Sequence, residues 1–290
     1  MSAARALRVV RAGPLTTVQD RGRSGVAALG VPRAGALDRP AYELANRLVG
    51  NEPGAAVLET TLGGAALRAL APLTAAVVGA PAPVRLDGGP APWGEPLLVP
   101  EGAVLDVGPP THGVRSYVAF AGGIDVPPQL GSRSADLLAG LGPAPLADGL
   151  LLPVGLRCGE PVRIEPLPLP APPRTLLLRL DPGPRADWFT AEALRVLAAS
   201  RYTVSAASNR VGLRLHGTPL ERAPGRGELP SEGMVLGAVQ VPPDGLPVLF
   251  LADHPTTGGY PVIGVVPVAD LAAAAQAAPG TPVRFTPTAR

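Results

Sequence analysis

Lysine is missing from this 290-residue sequence, so all 25 residues of the Lys+Arg class are arginine. Without an ε-amino group the chain cannot carry biotin or a lipoyl arm, cannot form a Schiff base, and has no P-loop lysine. Cysteine is almost missing too. The single Cys158 rules out an internal disulfide and fits a reducing, cytoplasmic setting. Aromatics are only 3% and net charge is +2 with scattered arginines, so no basic, base-stacking face for nucleic acid is expected. His112, His216 and His254 lie far apart and show no metal-ligand spacing, so no metal site is expected. The uncharged stretch between Arg68 and Arg85 is short and broken by Pro72, Pro81 and Pro83, which argues against a membrane span. The N-terminal MSAARALRVVRAG lacks the apolar centre of a signal peptide.

What is plentiful is aliphatic and turn-forming. Hydrophobic residues reach 46%, and 38 prolines with 36 glycines separate the apolar runs without any collagen-like period. Short runs between such breakers read as strands, at 5–11, 15–23 (a strand leading into a polar turn), 57–62, 75–78, 97–99, 103–107 and 116–121. Their even spacing, with few helices between, predicts antiparallel β structure and barrel-like closure. Asp38 to Val49 is the clearest helix: Asp38 can cap it, Pro40 sits in the first turn, and Gly50 ends it. Ala41, Leu44, Ala45 and Leu48 form its apolar face, and Asn46 beside them either ties down a loop or meets a ligand. The proline cluster at 166–174 predicts a linker between an N-terminal β-rich module (1–165) and a C-terminal barrel module (175–290). Further helices are expected at 187–199, with Trp188, Leu194 and Leu197 inward, and at 270–278.

The stretch from Ser231 to Val266 organises the chain. Two apolar runs, 246–252 and 262–266, flank Asp253-His254-Pro255-Thr256-Thr257-Gly258-Gly259-Tyr260. Thr256 and Thr257 offer hydroxyls, Gly258 and Gly259 allow close backbone approach, and Asp253 and His254 can titrate or donate. The alternative is a loop whose glycines only supply positive φ and whose Asp and Thr only cap turns. In SNRVGLRLHG, period two puts Arg210 and Arg214 on one face, able to hold an anion or simply to face solvent. Gln19, Asp20, Arg21 and Arg23 make a polar wall or a local ion pair.

Several segments together resemble the AHS2 (KipA-like) family, which comprises the C subunit of bacterial 5-oxoprolinase and the second half of the urea amidolyase carboxyltransferase region. They are VQDRGRSGVAALGVPRAGALD (18–38), ANRLVGN (45–51), AVLE (56–59), YVAFAGGIDVP with LGSRSADLLAGLG (117–142), SNRVGLRLHG (208–217), SEGMVLGAVQVPPDG (231–245) and LADHPTTGGYPVIGVV (251–266). The resemblance implies a mainly β fold with cyclophilin-like barrel modules. It also implies the A and B subunits of 5-oxoprolinase as partners, the latter of the AHS1 (KipI-like) type. Together they would use ATP, with Mg, to open 5-oxo-L-proline to L-glutamate; phosphorylating the lactam oxygen would activate it for water. Biotin-dependent relatives often carry a basic residue after Gly-Gly-Tyr-Pro; Val262 stands there in this chain.

The expected site gathers distant residues into one cleft. Arg210 and the Thr257–Gly259 backbone would hold the anionic part of substrate, and Asp253 or Glu232 would act as base through a raised pKa. Asp20, Asn46, Glu59, Asn209, Gln240, His254, Thr256 and Tyr260 would line it. The leading expectation is an enzyme subunit that is inactive alone. The alternatives are a regulator that binds a KipI-like kinase inhibitor, and a carboxyltransferase component serving biotin on another chain.

Overall fold

The computed structural model describes residues 5–157, 159–162 and 174–288. The expected linker lies outside these residues except for Arg174. Two compact units emerge, one drawn from Met1–Arg23 with Ala34–Pro172, the other from Ser24–Arg33 with Pro173–Arg290. The 24–33 segment, placed by sequence in the N-terminal module, therefore groups with the second unit.

The first unit runs β1 (Ala6–Arg11), β2 (Leu15–Gln19), α1 (Arg39–Leu48), β3 (Val57–Thr61), β4 (Ala65–Ala69), β5 (Leu73–Gly79) and β6 (Val84–Leu86). It continues through β7 (Gly89–Ala91), β8 (Pro96–Val99), β9 (Val104–Val107), β10 (Arg115–Phe120) and β11 (Leu151–Pro153). One sheet has the order β11-β1-β4-β9-β6-β7 and the other β2-β3-β10-β5-β8. Leu7, Val9, Leu67 and Leu105 from the first join Val18, Leu58, Val77, Val118 and Phe120 from the second in one core. Every residue of β10 is buried because both of its faces are covered. Val118 and Phe120 enter that core, while Tyr117 and Ala119 pack against Tyr42, Ala45 and Leu48 of α1.

Helix α1 forms where its capping signals put it. The Asp38 carboxylate accepts from Ala41 N at 3.1 Å, and Gly50 beyond the end adopts φ 73°. Strand β4, Ala-Ala-Leu-Arg-Ala, escapes sequence reading because it holds no β-branched residue. Its pairing with β1 and β9 on either side makes it a strand.

The second unit runs β12 (Leu176–Pro182), α2 (Ala191–Ala199), β13 (Tyr202–Val204), β14 (Gly212–His216), β15 (Glu232–Gly233) and β16 (Ala238–Gln240). Then come β17 (Val248–Phe250), β18 (Thr257–Gly258), β19 (Val262–Val265), α3 (Val268–Ala275) and β20 (Pro282–Pro287). Seven of its strands close a barrel in the order β12-β19-β16-β17-β14-β13-β20. The parallel pairing of β12 with β20, Leu176 opposite Val283, completes the ring. The small β15–β18 ribbon stands apart from it, with Glu232 opposite Gly258. The mainly β class with a few short helices is thus what the chain adopts.

The helix expected over 187–199 is shorter. Phe189 is extended and bridges Arg222, and the Thr190 hydroxyl accepts from Ala193 N at 3.0 Å, so α2 starts after it. Trp188 is buried on a separate short turn with the Arg226 guanidinium over its ring, and Leu194 faces solvent. Among the described residues no helix is long and apolar enough to cross a membrane.

Candidate functional site

Of the expected site residues, Asp20, Asn46 and Glu59 belong to the first unit and the remainder to the second. Asp20 follows β2 and is buried. Its Oδ1 accepts from the Ser132 and Ser134 hydroxyls, each at 2.6 Å, and from Gly22 N; its Oδ2 accepts from Arg133 N at 2.6 Å. The carboxylate therefore joins the chain after β2 to the 132–134 loop. Asn46 is fully buried; it donates to Ala55 O and accepts from the Asn51 amide, so it anchors the loop after α1. Of the two roles left open by sequence, the loop tie is the one its contacts fill.

Glu59 sits on β3 and is buried. Its Oε2 accepts from the Tyr117 hydroxyl at 2.8 Å and from Leu37 N at 3.0 Å, and Arg115 stands 3.7 Å from Oε1. The Tyr117 hydroxyl accepts in turn from Asp38 N at 2.7 Å. Burial first, then the neighbouring Glu59 and Asp38 charges, push the Tyr117 phenol well above its usual range. This network ties the start of α1 to the sheet.

In the second unit Arg210 was expected to be free for an anion, and it is not. It is buried just before β14, and its Nε and Nη2 each meet an oxygen of buried Asp253 at 2.9 Å. The period-two rule misplaced it because the chain is not yet a strand there. Asn209 Oδ1 accepts from Val211 N and Gly212 N in a local turn, and alternation starts at Gly212. Arg214, within the strand, is exposed as alternation requires. The two-pronged pair neutralises both charges and occupies both Asp253 oxygens.

Glu232 also departs from expectation. Its pKa is lowered, not raised, because Arg185 donates to both carboxylate oxygens, through Nη2 and through Nε at 3.1 Å. Sequence reading passed over Arg185, whose only signal is the Gly-Pro-Arg turn after β12. Its backbone N donates to Val262 O, so it stands beside the end of the Thr-Thr-Gly-Gly loop.

Gln240, on β16, donates to Tyr260 O at 3.0 Å. Neither Gly258 nor Gly259 has positive φ. Gly258 is small because a Cβ would come 2.8 Å from Gln240 Nε2 and 3.3 Å from Met234 Cγ. Met234 N in turn donates to Thr256 O. Thr257 and Tyr260 are exposed beside it. His254 stacks on Phe250 with ring centroids 6.0 Å apart, and its Nδ1 contacts Pro255 O at 2.8 Å. The carbonyl can only accept, so Nδ1 carries the proton and the lone pair is on Nε2. Burial lowers the His254 pKa, which keeps the ring neutral.

Glu232, Arg185, Met234, Gln240 and the 256–260 loop thus form one surface in the second unit. An exposed hydroxyl, an exposed phenol and a lowered carboxylate beside a guanidinium suit hydrogen bonding to a small polar molecule more than proton abstraction by Glu232. Among the described residues no three His, Cys, Asp or Glu side chains are grouped to hold a metal ion.

Residues 29–287 match the family described as carboxyltransferase domain, subdomain A and B, and the chain belongs to that family. Among its relatives, the 5-oxoprolinase C subunit of Escherichia coli (strain K12) is 40% identical over 286 residues, covering 96% of this chain and 90% of the relative. Urea amidolyase of Lachancea kluyveri is 34% identical across 97% of this chain, which spans only 17% of that longer protein. In the crystal structure of Kluyveromyces lactis urea carboxylase, the match has a TM-score of 0.93 at 31% identity, covering 100% of this chain and 28% of that one.

Proposed function

We propose that the chain is the C-type subunit of an ATP-dependent complex that opens 5-oxo-L-proline to L-glutamate. The carrying observation is the end-to-end likeness to the 5-oxoprolinase C subunit, which covers nearly all of both chains. In this reading the partners are the A and B subunits, the latter of the AHS1 (KipI-like) type, and the complex is cytoplasmic.

The roles proposed for this chain follow from its own groups. Thr257, Tyr260 and the backbone around Gly258 would hydrogen-bond the substrate, with Arg185 nearby to balance its carboxylate. Gln240 would hold the loop in place through Tyr260 O. Arg210 and Asp253 keep the barrel end rigid beneath it. ATP with Mg is assigned to the assembled complex. The candidate carboxylates here do not fit a Mg site: Asp20, Glu59, Glu232 and Asp253 are each engaged by donors of the chain itself. No step on this chain therefore runs through the nucleotide.

A second reading rests on the likeness to urea amidolyase and urea carboxylase: a carboxyltransferase component that receives biotin from another chain. The absence of lysine keeps biotin off this chain in either case. A regulator that binds a KipI-like inhibitor is the third reading and shares the partner of the first. The assay that separates them supplies the purified chain with A and B subunits, 5-oxoproline and ATP. Glutamate formation that needs all three proteins supports the subunit reading. Its absence, in a mixture whose A and B subunits work with a known C subunit, contradicts it.

A further inference from the structure

Opening an amide with water needs a group that takes a proton from the water and delivers it to the leaving nitrogen. The two carboxylates at the 253–260 loop are already engaged. Both oxygens of Asp253 meet the Arg210 guanidinium, and both oxygens of Glu232 accept from Arg185. His254 differs from them. Its Nδ1 is spent on the Pro255 carbonyl at 2.8 Å, which puts the lone pair on Nε2. Nε2 makes no hydrogen bond to the chain, and it is not one of the buried side-chain atoms sealed from solvent without a partner.

The neighbours of the ring fix where it stands. Its plane lies 19° from that of Phe250. Phe250 packs in one apolar cluster with Met234, Ala238, Val248 and Val262. Met234 lies against Gly258, and its backbone N donates to Thr256 O. The imidazole and the 256–260 loop therefore rest on the same apolar floor. The ring is 7% exposed, so an edge reaches solvent while stacking and the Pro255 contact hold its orientation. Asp253 is the charged group that faces the ring, and Arg210 balances it. Burial outweighs that carboxylate, so the ring stays neutral and able to accept a proton.

We propose that His254, through Nε2, is the general base of this surface. The role rests on the functional reading above, in which water opens a lactam held at Thr257 and Tyr260. The water oxygen bonds to the carbonyl carbon while one water proton passes to Nε2. That proton then goes to the lactam nitrogen as the carbon–nitrogen bond breaks, and His254 is neutral again. The second water hydrogen stays with the new carboxyl group. The hydroxyls of Thr257 and Tyr260 donate to the ligand and leave this transfer to the imidazole.

The test is the pH profile of glutamate formation by the complete complex, with the wild-type chain and with His254→Gln. Wild-type kcat should fall as pH drops through the folded value of His254, which lies below 6.5. His254→Gln should lower kcat about 100-fold or more, leave KM nearly unchanged and abolish the acid limb. Added imidazole should restore part of the activity of His254→Gly. A variant that keeps wild-type kcat overturns the role, and so does one that loses kcat but retains the acid limb. If the variants do not fold, nitrogen NMR of the histidine-labelled wild-type chain decides, with signals assigned through His112→Gln and His216→Gln. His254 should be the neutral tautomer protonated at Nδ1; protonation at Nε2 instead overturns the proposal. A wild-type mixture that forms no glutamate, with partners that work beside a known C subunit, removes the subunit reading and this role with it. Turnover that survives His254→Gln removes the role alone.

Discussion

Asp20 in the first unit and Asp253 in the second are both buried carboxylates, yet their partners differ in kind. Asp20 is held by two hydroxyls and two backbone N–H groups, all neutral. Asp253 is held by the fork of one buried arginine. The first arrangement spreads the compensation over four donors, so losing one leaves three. The second relies on a two-pronged ion pair, so losing the arginine removes both of those bonds from a buried carboxylate at once. The two units should therefore respond differently to single substitutions of similar size.

The largest effect is expected from Arg210→Ala. Breaking a buried pair from one side costs about 3–5 kcal/mol, read as a fall in the denaturant midpoint of the purified chain. The double variant Arg210→Met with Asp253→Leu should recover much of that loss, because no charge is left buried. A single variant as stable as wild type would erase the contrast. In the first unit, Ser132→Ala removes one of four donors and should cost only about 1 kcal/mol. Its hydrogen exchange should rise around 131–136 while the rest of the unit is unchanged.

A smaller, pH-dependent effect is expected at His254, which faces Asp253 and the Pro255 carbonyl. Its folded pKa lies below the ordinary value of 6.5, chiefly through burial. Between the folded and unfolded values the unfolded chain binds more protons, so stability rises with pH. That stability is complete above about pH 6.5 and is lost as pH falls through the folded value. His254→Phe should flatten this part of the stability profile. An unchanged slope would remove His254 as its source. The smallest effect is expected from Glu232→Gln, since the Glu232–Arg185 pair is partly exposed and salt screens it. Stability should barely change, and what difference exists should vanish in high salt.

Local signals were legible in the sequence and long-range partners were not. Asp38 and Pro40 announced α1 because capping acts within one turn. The alternation of 211–215 announced β14, but extending it back to Arg210 failed because alternation holds only inside a strand. Arg185 was missed because the residue that gives it meaning, Glu232, is 47 positions away. The raised pKa expected for Glu232 failed for the same reason: its partner was invisible. Gly258 was marked for close approach by a ligand; what the fold places against it is the Gln240 amide, a partner that no local signal reveals.

Turnover of 5-oxoproline decides most directly whether this chain is one part of a hydrolase. With ATP, the purified chain alone should form no glutamate, and addition of its A and B partners should switch glutamate formation on. Robust turnover by the chain alone would contradict the subunit reading, and so would a complete mixture that stays silent while its A and B subunits work with the Escherichia coli C subunit.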